Sequence, residues 1–175
     1  GAGHELDVLK RSVRYSDLIG CFYIESPAMR QILKKLRCDD YITLVAASSI
    51  IRPGVAQSGM LREYITRFHN REKTVYLHPL FEEHLSETFG VMVFQEDVIK
   101  IAHYFAGLSL GEADILRRAM SGKYRSHNKF REIKDRYLAS CRSVGHSDEL
   151  AHEVWRQMES FAGYIKWEIS KWSVL

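Results

Sequence analysis

Cysteine is scarce in this 175-residue chain: only Cys21, Cys38 and Cys141 occur. Their odd number and wide spacing argue against both a disulfide framework and a Cys-x-x-Cys metal site. A reducing cytoplasm is the expected setting. Also missing is any apolar run near the roughly 18 residues needed to span a bilayer, and the opening GAGHELDVLK has no apolar signal core. The reading is a soluble, intracellular chain. His69, His78, His84 and His103 follow no HExxH-type spacing, which leaves them as surface or satisfied-core histidines. Ser48, Ser49 and Ser58 lack a nucleophile-elbow context, and no other constellation for nucleophilic or acid–base catalysis is found. Internal repeats, low-complexity segments and long linkers are absent too.

What is present is 46% hydrophobic residues with a formal net charge of +3 and a pI near 8.7, which suits one or two compact units able to bury a core. Apolar spacing is mostly helical. Residues 5–15 give a short, ragged helical pattern, and IGCFYI at 19–24 has the aromatic and branched content of a strand. Pro27 suits a first helical turn, after which Met29, Ile32, Leu33 and Leu36 share one face. Asp39-Asp40 caps YITLVAASSII, which Pro53 and Gly54 must stop near Ile51. A third helix begins at Ser58 or Gly59, and a short one covers HPLFEEHLSET. Gly90 then introduces VMVFQ, the second strand candidate; helical spacing returns over 96–106 and is ended by Gly107. Ser109 or Gly111 opens GEADILRRAM, and two helices over about 127–142 and 148–162 complete the pattern. The expected fold is mainly α with two short β-strands.

Charge is unevenly spread. From Arg117 to Arg142 stand nine basic residues, Arg117, Arg118, Lys123, Arg125, Lys129, Arg131, Lys134, Arg136 and Arg142, against only Glu132 and Asp135. Such a cluster is the electrostatic footprint of phosphate binding, and equally that of a solvated helix face. Consecutive arginines on a helix diverge by about 100°, so Arg117 and Arg118 are not expected to face the same surroundings, and one of them points into a groove. Arg52, in the turn IRPGV, reads either as a loop arginine bonding nearby carbonyls or as a guanidinium aimed at a phosphate or carboxylate.

Several phrases together resemble the C family of bacterial replicative DNA polymerases, the alpha subunits of DNA polymerase III. They are IGCFYIESPAMRQILKKL (19–36), LVAASSIIRPGVAQSGM (44–60), RFHNRE (67–72), the long stretch from YLHPLFEEHL to LRRAM (76–120) and FAGY (161–164). Their order and spacing carry the resemblance over roughly residues 6–164. The departures are RPGV where the family usually has RPGP, and RRAMSGK where it has RRAMGKK.

The resemblance implies a helical fingers-type domain within a far longer enzyme: the end of the palm over 1–24, fingers over 25–164, and a tail over 165–175 that leaves the family pattern. It implies that Arg117 and Arg118 contact the triphosphate of the incoming deoxynucleoside triphosphate. Arg52 and, more loosely, Lys123 would belong to the same cleft, with Arg125, Lys129, Arg131 and Lys134 binding DNA. The parent activity would be template-directed DNA synthesis on a primer-template, together with other replicase subunits. Its Mg would be held by palm aspartates, and nothing matching those stands in residues 1–24, so this chain alone is expected to be inactive. The competing reading is a non-catalytic basic helical module that binds nucleic-acid backbone; a helical interaction scaffold is a third.

Overall fold

The computed structural model describes residues 27–38, 40–51, 59–120 and 127–160. Eight α-helices occur among them: α1 (Pro27–Leu36), α2 (Tyr41–Ile50), α3 (Met60–His69), α4 (Pro79–Leu85), α5 (Gln95–Lys100), α6 (Leu110–Met120), α7 (His127–Val144) and α8 (Asp148–Glu159). Short 3₁₀ turns occupy Arg71–Lys73 and Ser86–Thr88, and α5 runs directly into a π-helical turn, Ile101–Phe105.

Local chemistry explains most of the boundaries. Asp40 starts α2 by accepting the Thr43 N–H at 2.8 Å, and Ser147 starts α8 by accepting that of Leu150 at 3.2 Å. Ser109 and Glu112 cap α6 reciprocally: the Ser109 hydroxyl accepts from the Glu112 N–H, and the Glu112 carboxylate accepts from the Ser109 N–H. Gly107 ends the π-helical turn in the left-handed region (φ 77), and a Cβ there would lie 2.7 Å from Val144 Cγ2 of α7. Both the backbone and the close approach of α7 therefore require glycine.

Two hydrophobic clusters organise the helices. One gathers Met29, Ile32, Leu33 and Leu36 of α1 with Ala46, Ala47 and Ile50 of α2 and Met60 and Tyr64 of α3. The other joins Phe81 and Leu85 of α4, Val98, Ile101 and Phe105, Leu116 of α6, Tyr137 of α7 and Trp155 of α8. Tyr137 also donates its hydroxyl to the Ala151 carbonyl at 2.9 Å, tying α7 to α8. Ser140 and His146 bond the carbonyls of Ala106 and Phe105 at 2.6 and 2.7 Å, fastening that helical pair to the π-helical turn.

The segment VMVFQ corrects the expectation of a β-strand. Among the described residues no strand occurs, and Val91–Phe94 is a link without regular secondary structure whose side chains serve both clusters. Val91 and Val93 enter the first cluster and Met92 the second. Its backbone is satisfied by side chains and a turn instead of a ladder: the Val93 and Phe94 N–H groups donate to Asp97 Oδ2 at 3.0 and 2.9 Å, and Thr88 Oγ1 donates to the Val91 carbonyl at 2.7 Å. Val91, Met92 and Val93 are all buried, on alternate sides, because the chain threads between two cores. The other candidate, 19–24, lies outside the described residues, as do the segments 1–24 and 165–175 expected to flank the fingers.

Candidate functional site

The arginine pair sits in the last turn of α6, where cations complement the helix dipole. Ala113, Leu116, Ala119 and Met120 are buried and define the inward face. At about 100° per residue, Arg117 falls on the flank of that face and Arg118 nearly opposite it. The exposures follow: 22% of the Arg117 side chain is accessible against 46% for Arg118.

The two guanidiniums nevertheless meet one partner. Asp114 precedes them by three and four residues and projects between them on the helix circumference. Its Oδ1 accepts from Arg117 Nε at 3.0 Å and Nη2 at 2.8 Å, while Oδ2 lies 2.6 Å from Arg118 Nη2. The expected 100° divergence is thus bridged by a single carboxylate. Arg117 is held a second time, from another element: its Nη1 donates to Gln95 Oε1, the first residue of α5, at 3.1 Å. Hydrogen bonding from Arg117, with the charges of both arginines, holds the Asp114 carboxyl below its ordinary range.

The anchor behind Gln95 is Asp97. This carboxylate, only 5% exposed, binds the two N–H groups that lead into α5. Burial raises its pKa although those N–H bonds favour the ionised form. Asp97 therefore fixes the entry into α5, whose first residue, Gln95, holds Arg117.

The basic residues of α7 are dispersed. Lys129 is half exposed, with Nζ 3.8 Å from Glu132, beside a hollow of 220 Å³ lined by Leu108, Ile115 and Ile133 and shared with Arg136. Arg131 is exposed and Lys134 half-buried, its Nζ 5.9 Å from the Trp155 ring centroid. Arg131 and Lys134 lie about 60° apart on the helix, whereas Lys129 lies about 160° from Arg131. Arg131 and Lys134 can meet one surface, and Lys129 faces another. Arg136 pairs with Glu112 at 2.7 Å and Arg142 with Asp148 at 2.8 Å. Arg52, Lys123 and Arg125 lie outside the described residues.

Sequence reasoning missed Asp114 and Gln95. The first was legible, since an acid three and four places before two arginines is a standard helix pairing; the second required the packing of α5 on α6. The four histidines are accounted for by structure: His69 bonds the Lys35 carbonyl, His78 accepts the Leu80 N–H, His103 bonds the Leu108 carbonyl and His84 stacks on the Tyr104 ring. Among the described residues, no three His, Cys, Asp or Glu side chains converge as metal ligands. None of the described helices is long and apolar enough to cross a membrane.

Comparison with known proteins places this geometry in context. The family model of the bacterial DNA polymerase III alpha subunit finger domain matches residues 7–145, a span that takes in α1 to α7. DNA polymerase III subunit alpha of Aquifex aeolicus (strain VF5) is 37% identical over 145 residues, covering 83% of this chain and 12% of the relative. The protein of the same name from Staphylococcus aureus (strain Mu50 / ATCC 700699) is 37% identical over 148 residues, covering 85% and 14%. The chain thus spans about one seventh or less of the length of these curated relatives.

Proposed function

Because this chain belongs to the finger-domain family of the bacterial DNA polymerase III alpha subunit, we propose that it serves template-directed DNA synthesis in replication by binding the triphosphate of the incoming deoxynucleoside triphosphate through Arg117 and Arg118. The observation that carries this reading is the arginine pair gathered on one carboxylate at the end of α6, inside the family-matched span. Guanidinium forks suit phosphate oxygens. Placed beside the transferring phosphoryl group, they offset charge that develops on the leaving pyrophosphate and hold the chain of phosphates in line.

Arg52 and Lys123 join the same cleft in this proposal, and Arg125, Lys129, Arg131 and Lys134 take the DNA backbone. Within that second group Arg131 and Lys134 form one phosphate-facing surface; the position of Lys129 makes it a contact to a different stretch of nucleic acid. Among the described residues no His, Cys, Asp and Glu cluster fits a Mg site; in this proposal the ion is held by palm aspartates of the longer polymerase, as the family resemblance implies, and no step is derived through it.

The test is steady-state nucleotide incorporation by a full-length alpha subunit carrying this chain. Arg117→Ala combined with Arg118→Ala should lower kcat/KM for deoxynucleoside triphosphate on the order of 100-fold, the scale of losing preorganised charge stabilisation, with primer-template affinity nearly unchanged. Unchanged kcat/KM with weakened DNA binding would refute the nucleotide role and favour a generic backbone grip.

A further inference from the structure

We propose that Asp114 is a positioning residue of the triphosphate site, holding the guanidiniums of Arg117 and Arg118 as one preorganised unit. The inference rests on the reading of that pair as triphosphate ligands. Two adjacent like charges repel, and their backbone positions direct them apart by about 100°. Left alone they would sample separate orientations and each would lose rotamer freedom when an anion arrived. Asp114 lies between them and gives each one oxygen: Oδ1 to Arg117, Oδ2 to Arg118. The three side chains together keep a charge of +1, so attraction for a polyphosphate survives.

The two arms are unequally exposed. Arg117 is fixed through Nε and Nη2 to Asp114 and through Nη1 to Gln95, a neutral residue on a different helix. The Arg118 contact to Asp114 comes from the same helix, and Arg118 is twice as exposed. Arg117, braced from two helices, is thus an arm whose direction is set before a ligand seats. An acid beside phosphate-binding arginines has two possible roles with opposite signatures. A mask lowers affinity by cancelling charge, so that its removal tightens binding. A scaffold raises the fraction of correctly placed arginines, so that its removal weakens productive binding. Anchoring of Arg117 by uncharged Gln95 as well is geometry that a mask would not use, and it assigns the scaffold role.

The experiment measures kcat and KM for deoxynucleoside triphosphate in a full-length alpha subunit carrying this chain, at saturating primer-template, for Asp114→Asn and Asp114→Glu, with inorganic tripolyphosphate as a competing inhibitor. Asp114→Asn keeps shape and removes charge. Its kcat/KM should fall on the order of 10-fold, and Asp114→Glu should recover part of the loss. Tripolyphosphate, which senses charge but needs no alignment with a primer, should inhibit Asp114→Asn at least as well as the unaltered enzyme.

A lower KM in Asp114→Asn would establish a mask and overturn the proposal. So would a lowered melting temperature with KM and kcat unchanged, the mark of a merely structural residue. The underlying reading fails separately: Arg117→Ala and Arg118→Ala would then leave KM and kcat unaltered, whatever Asp114→Asn does.

Discussion

Arg117 in the last turn of α6 is gripped from two elements, by Asp114 of its own helix and Gln95 of α5, and is 22% exposed. Arg142 in the last turn of α7 meets Asp148 across the turn into α8, with 63% of its side chain accessible. Both bonds to the carboxylate measure 2.8 Å. Equal distance conceals unequal constraint. An exposed pair competes with water and salt and gains little from its Coulomb attraction. A partly buried guanidinium with partners on two helices cannot move without disturbing the packing of α5 on α6. The sequence places these arginines in one basic run; the structure separates those that are positioned from those that are solvated.

The strongest way to break this contrast is to cut the support behind Gln95. Asp97→Ala orphans the buried N–H of Val93 and that of Phe94, at about 1–3 kcal/mol for each donor left unsatisfied. It should lower the urea midpoint of unfolding of this chain, and in a full-length alpha subunit it should raise KM for nucleotide, because α5 no longer starts at a fixed point. A stability loss without any change in KM would show that Arg117 needs only Asp114. The two regions would then differ less than the geometry implies.

Much of this arrangement was legible beforehand. The inward face of α1, the Asp40 cap, the stop near Ile51 and the extent of α6 all follow from spacing and capping chemistry that act within a turn or two. The strand at 91–95 was misread because a short, continuously apolar, branched run suits any buried segment, and only tertiary structure shows that Met92 and its valine neighbours serve different cores. A strand also needs a partner ladder, whereas here Asp97 and Thr88 take the backbone bonds locally. The charge count between Arg117 and Arg142 overstated the free positive charge because its acids stand just beyond both ends. Glu112 and Asp114 precede the window and Asp148 follows it, yet each reaches back to an arginine inside.

A smaller effect sharpens the contrast along α7. Arg131→Ala and Lys134→Ala should each lower the salt dependence of DNA binding by a full-length alpha subunit by about one unit of slope, since they share a surface. Lys129→Ala should act independently of both. Equal and interchangeable effects of all three would mean that DNA wraps the helix, contrary to the division of faces seen here.

The smallest effect is electrostatic and separates the two carboxylates directly. Asp114 and Asp148 both titrate below the ordinary aspartate value because arginines hydrogen-bond their ionised forms. A depressed folded-state pKa stabilises the fold above the unfolded value of about 3.9, and that contribution disappears as pH falls through the folded value. Neither pair should therefore change between about pH 5 and 8. Carboxyl carbon NMR titration of this chain at low salt and again near 1 M, where the Debye length is about 3 Å, tests how each is held. Asp148, facing one exposed guanidinium, should move back toward 3.9 as salt screens Arg142. Asp114 should move less, because two guanidiniums hold it and Gln95 fixes that of Arg117. Equal movement would place the α6 pair in the solvated class and leave its positioning to a bound nucleotide alone.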